Sequence, residues 1–169
     1  TASPSMDIQI SSNFERLLFE AYGRDAAAVR RLMASLRQSR AFLIDAEPLA
    51  RIRAEFSAQA IDEAEVVAEM AQTRSETGYV LDPHTAVGTR AARGLLRERP
   101  QIPVVALATA HPAKFPEAVE RATGRRPELP PHLADLMRGQ ERFTVVANDQ
   151  AALERFIRER ARVVRGVAA

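Results

Sequence analysis

Ala108-Thr109-Ala110-His111-Pro112-Ala113-Lys114-Phe115 brings a hydroxyl, an imidazole and an ammonium into one short stretch. It follows Ile102-Pro103-Val104-Val105-Ala106-Leu107, an apolar run bounded by proline and typical of a strand buried on both faces. In open α/β sheets ligands gather at the carboxyl ends of strands, and this segment is such an end. The same residues would also serve as a polar strand-to-helix loop with a cap. Lys114 is the only lysine among 24 basic residues, so any amine nucleophile has one candidate. A second stretch, Leu81-Asp82-Pro83-His84-Thr85-Ala86-Val87-Gly88, reads most simply as a helix start, with Asp82 as cap and Pro83 at the first helical position. There His84 meets the positive helix end, which favours its neutral form. A third, Ser11-Ser12-Asn13, can bind an anion together with free backbone amides, or simply cap a helix.

Composition narrows the classes open to these residues. The chain has 169 residues, 24 Lys+Arg against 22 Asp+Glu and a net charge of +2, which suits one domain or a piece of a larger one. The absence of cysteine excludes a disulfide framework, a thiol nucleophile and Cys-ligated zinc. Three scattered histidines argue against a transition-metal site. The longest apolar run is too short to span a bilayer, and no secretory signal opens the chain, so the expectation is a cytoplasmic protein without a membrane partner. Arg155 to Arg165 is basic, but its charges are spread around a helix whose Phe156 sits at core spacing. No nucleic-acid partner is expected.

The elements that must position these residues follow from caps and periodicity. Ser12 and Glu15 suggest a capping box opening a helix with Phe14, Leu17, Leu18 and Tyr22 on one side, stopped by Gly23. A second helix is expected over 25–38 and a third from Pro48. Asp62 and Glu65 form another capping box for a helix running to Gly78, and Pro83 starts one that ends near Pro100. Tyr79–Leu81 could be a very short strand. Pro116 to Thr123 should be helical, with a short helix near 132–138. Phe143–Ala147 reads as a second strand, and Asn148 as the cap of a terminal helix with Leu153, Phe156, Ile157 and Val164 inward. The expected class is α/β, helices around a small, mainly parallel sheet that something outside the chain completes.

The three stretches carry a resemblance. Ser5-Met6-Asp7-Ile8-Gln9-Ile10-Ser11-Ser12-Asn13-Phe14-Glu15-Arg16, Asp82 to Gly88 and Ala108 to Phe115 are similar to the C-terminal part of threonine synthase, in its larger bacterial and fungal type. The likeness runs over essentially the whole chain. It implies a fold-type-II, tryptophan-synthase-like enzyme dependent on pyridoxal phosphate, a lyase that turns O-phospho-L-homoserine and water into L-threonine and phosphate. It further implies that 1–169 is a C-terminal fragment of the catalytic domain and that the remainder of that chain is its partner. The Schiff-base lysine and the cofactor-phosphate loop would lie upstream, so the fragment alone is expected to be inactive. Thr109 falls where a hydroxyl meets the cofactor's pyridine nitrogen. His111 and Lys114 fall near the substrate phosphate. Ser11, Asn13, Asp82 and His84 are further substrate-side candidates. A chain that does not open on Met fits a fragment. The alternative is a stand-alone α/β binding module descended from such an enzyme.

Overall fold

The computed structural model describes residues 1–9 and 11–165, which fall into two compact units, Thr1–Glu128 and Leu129–Ala169. In the first, helices α1 (Ser12–Ala21), α2 (Ala26–Ser39) and α3 (Ala46–Glu55) pack as one group, with α1 against both others. Helix α4 (Glu63–Thr77) packs against α5 (Pro83–Glu98) and α6 (Pro116–Thr123). Each boundary has a local cause. Asp25 accepts hydrogen bonds from the Ala27 and Ala28 amides to open α2. Asp62 and Glu65 form the expected reciprocal capping box on α4. Gly78 and Gly124 end α4 and α6 in the left-handed region, at φ of 76° and 71°.

Val66 and Met70 of α4, Leu81, Ala86 of α5 and Val119 of α6 form the buried core beneath the site, with Ile61, Val80, Val87 and Ala122 against it. Burial of each larger aliphatic side chain contributes about 1.5–3 kcal/mol. A polar strut crosses the same interface. Arg93 of α5 donates to Glu69, Thr73 and Glu76 of α4, and Glu69 is buried.

The second unit has two single turns of tight helix, Pro131–Leu133 and Leu136–Arg138, where one short helix was expected. Helix α7 (Gln150–Arg160) is capped by Asp149, which accepts from the Ala152 amide at 2.8 Å, and not by Asn148. Leu153 and Ile157 are about half exposed, and Val164 lies outside the described side chains. A last turn, α8, covers Arg162–Arg165.

Two further expectations fail, and a third is not met among the described residues. Ser11 stands at the N-cap of α1 without a side-chain cap bond, so the Ser12–Glu15 box does not form. Tyr79–Leu81 is not a strand. Most important, no strand and no sheet occur among the described residues: 104–109 and 143–147 are irregular, and only helices and turns are regular. Val105, Leu107, Phe143 and Val145 are 74–84% exposed. A strand exists only when a neighbour takes up its N–H and C=O groups. Here the apolar pattern of a buried strand is present and its ladder partners are not.

Candidate functional site

The site is built on the N-terminus of α5. Asp82, 1% exposed, caps the helix: its Oδ1 accepts from the His84 amide at 2.9 Å and the Thr85 amide at 3.3 Å. Oδ1 also lies 3.2 Å from His84 Nδ1, while Oδ2 accepts the Thr85 hydroxyl. Pro83 at the first helical position has no N–H to lose. His84 Nε2 accepts a long hydrogen bond, 3.4 Å, from the Ser5 amide, so the ring proton sits on Nδ1 and points to Asp82. That contact ties the turn Pro4–Met6 to α5.

Two of the three stretches meet here. Thr85 Oγ1 accepts from the Thr109 amide at 3.0 Å and lies 3.5 Å from Thr109 Oγ1. The Phe115 ring stacks on His84 with centroids 4.5 Å apart, tilted by 50°. Lys114 Nζ sits 5.9 Å from the Phe115 centroid. His111 caps the tight turn Pro112–Lys114, its Nδ1 accepting from the Ala113 amide at 3.1 Å. That leaves Nε2 as the protonated nitrogen and a donor. Thr109, His111 and Lys114 are exposed, whereas Asp82, His84 and Thr85 are buried. The geometry is a buried polar anchor holding an exposed rim of one hydroxyl, one imidazole and one ammonium.

The third stretch stands apart in its bonding. Ser11 is half-buried, and Asn13 is exposed with its Oδ1 accepting from the Arg16 guanidinium. Among the described residues no hydrogen bond joins Ser11 or Asn13 to the Thr85–Thr109 pair. No group of His, Asp or Glu among the described residues could hold a metal ion. A cleft of about 590 Å³ lined by Arg74, Val80 and Thr123–Glu128 involves none of the three stretches.

The stacking of Phe115 on His84 and the Ser5 tether were missed from sequence. Both join segments far apart in the chain, and no local spacing announces them.

The Thr109 hydroxyl and the nitrogen donors of His111 and Lys114 lie on the segment that Thr85 and His84, at the capped start of α5, hold through the Thr109 amide and the Phe115 ring. The family model of the C-terminal region of threonine synthase matches residues 85–157. Threonine synthase from Pseudomonas aeruginosa is 44% identical over 92% of this chain and 33% of that protein. Among solved structures, pyridoxal-phosphate-bound threonine synthase from Brucella melitensis is 52% identical, with a TM-score of 0.72 over 96% of this chain and 34% of that one. The yeast enzyme is 28% identical, with a TM-score of 0.70 over 94% of this chain and 36% of that one. The chain therefore belongs with the threonine synthases, whose C-terminal region it matches. It spans about a third of the length of the relatives it matches.

Proposed function

We propose that this chain forms the C-terminal wall of the active site in a threonine synthase, the enzyme converting O-phospho-L-homoserine and water to L-threonine and phosphate. The match of 96% of the chain at 52% identity to a pyridoxal-phosphate-bound relative carries the reading. A stand-alone module is the weaker one, because the correspondence to the enzyme's C-terminal region runs over 92% of this chain.

The residues present fit pyridoxal phosphate on their own chemistry. When bound, that group supplies an electron sink for carbanion charge beside the substrate amine. The exposed Thr109 hydroxyl, anchored by Thr85, suits a neutral partner for the pyridine nitrogen and leaves that nitrogen without a proton. His111 Nε2 is a donor and Lys114 Nζ a cation for the substrate phosphate. Ser11 and Asn13, with the first amides of α1, are offered as a second set of donors to the same substrate. Asp82 and His84 shape the wall from beneath, since both are consumed by internal hydrogen bonds.

The wider architecture is part of the proposal. Segments 104–109 and 143–147 become strands of a mainly parallel α/β sheet when the rest of the enzyme supplies their neighbours; their exposed apolar side chains support this. Residues 1–169 are taken as part of one catalytic domain, working in the cytoplasm. No helix of the described residues is long and apolar enough to cross a membrane.

The test is phosphate release from O-phospho-L-homoserine. The complete enzyme carrying this region should turn over, and the isolated 169-residue chain should not. Lys114, the chain's only lysine, lies on an exposed turn beside the proposed phosphate site. Turnover by the isolated chain, with cofactor reducible onto Lys114, would overturn the reading.

A further inference from the structure

We propose that Thr85, held by Asp82, is a positioning residue that presents the Thr109 hydroxyl as a hydrogen-bond donor to the cofactor's ring nitrogen; this rests on the assignment of Thr109 above. Thr85 has one hydroxyl proton and three polar neighbours. Asp82 Oδ2 is closest and, as a carboxylate, only accepts. The Thr109 amide, 3.0 Å away, only donates. Both neighbours impose the same orientation: the Thr85 proton goes to Asp82, and its lone pairs face Thr109. Thr85 therefore never donates to Thr109.

The consequence falls on Thr109. Its hydroxyl receives no proton from Thr85, and its own proton has only a weak acceptor there, at 3.5 Å, beyond the ordinary 2.5–3.0 Å range of about the best O–H···O bonds. That proton is free to turn to a better acceptor. An unprotonated aromatic nitrogen is one. The hydrogen bond that the Thr109 amide donates to Thr85 Oγ1 meanwhile fixes the backbone at Thr109, and so the direction in which its side chain leaves. Asp82 is fixed in turn by the amides of His84 and Thr85. The cap of α5 and the rim hydroxyl are thus one hydrogen-bonded series crossing 24 residues of sequence.

The experiment uses the complete holoenzyme loaded with cofactor whose ring nitrogen is labelled with nitrogen-15. The nitrogen chemical shift and the cofactor dissociation constant are measured for wild type, Thr85→Val, Thr85→Ser, Thr109→Val and the double valine variant. Thr85→Val and Thr109→Val should each move the shift toward that of an unbonded pyridine nitrogen and weaken cofactor binding about 2- to 10-fold. Thr85→Ser should restore both readings, and the double variant should be no worse than the worse single one. If Thr109→Val changes both readings and Thr85→Val changes neither, the positioning role is wrong and the Thr109 assignment stands. If Thr109→Val changes neither, the assignment fails and the positioning role with it. Thr85→Ser behaving like Thr85→Val also overturns the role, since the hydroxyl is then not the cause. Should Thr85→Val not fold, Thr85→Ala lacks the same hydroxyl and is read in the same way.

Discussion

One carboxylate, Asp82, serves two backbone amides, an imidazole N–H and a hydroxyl, all out of contact with water. Its negative charge sits at the positive end of α5, which favours it there. Asp82→Ala removes the cap and leaves the Thr85 hydroxyl and the His84 Nδ1–H without their partner. Loss of the cap and orphaning of buried donors should together cost about 2–4 kcal/mol. Asp82→Asn keeps an acceptor for the amides and should cost less. Denaturant unfolding of the complete enzyme checks this, and an Asp82→Ala midpoint equal to wild type would contradict it. Much of this was legible in sequence, because Asp-Pro-x-x is a cap pattern written in adjacent residues. What could not be read was that Thr85 reaches Thr109. That bond depends on α5 and the loop before α6 coming together over a core of Leu81, Ala86 and Val119.

Helices α4 and α5 are joined by more than apolar contact. Arg93 Nε donates to both oxygens of buried Glu69 at 2.8 and 2.9 Å, and its Nη2 reaches Glu76 at 2.7 Å. The hydrogen bond to Glu69 foremost raises the guanidinium's pKa above its ordinary value. The Glu76 carboxyl is held below its ordinary value of 4.5, first by Gln72 and then by Arg93. A lowered carboxyl pKa contributes stability above the unfolded value, and that contribution is lost as pH falls through the folded one. Arg93→Met should therefore act in two ways. At neutral pH it strands the Glu69 charge in the interior, at a cost of about 1–3 kcal/mol or more. On acidification the gap to wild type should narrow, because wild type loses the Glu76 contribution that Arg93 helps to supply. Unfolding midpoints at neutral and mildly acidic pH measure the gap, and a gap that widens in acid would refute the account. At this scale the sequence was a good guide to α4, α5 and α6, whose caps and stops are local: Asp62 with Glu65, Pro83, Gly78 and Gly124. It gave no sign of the Glu69–Arg93 strut, since two charged residues on different helices look like any solvated pair. The strands it predicts are not seen among the described residues, because an apolar run encodes burial, and burial needs a partner.

Across the whole chain, that missing partner has a physical consequence. Val105 and Leu107 in one segment, and Phe143 and Val145 in the other, are outward and apolar at strand spacing, between 74% and 84% exposed. Backbone without ladder partners, flanked by apolar side chains, is a template for pairing with another chain. In a complete threonine synthase those groups would be covered by the neighbouring strands proposed above. In the isolated 169-residue chain they face water, and a second copy is the nearest source of both apolar surface and backbone partners. The isolated chain should therefore self-associate with rising concentration, gaining extended structure as it does. Sedimentation velocity across a concentration series, with infrared amide spectra of the same samples, measures both. Val105→Lys combined with Val145→Lys should suppress association, because edge lysines desolvate poorly and repel across a strand pair. The same two substitutions in the complete enzyme should have the opposite value, lowering its yield of folded protein by placing charge where the sheet is buried. A chain that stays monomeric throughout, or a complete enzyme indifferent to lysine at both positions, would show that these segments are surface loops and that the α/β sheet is built without them.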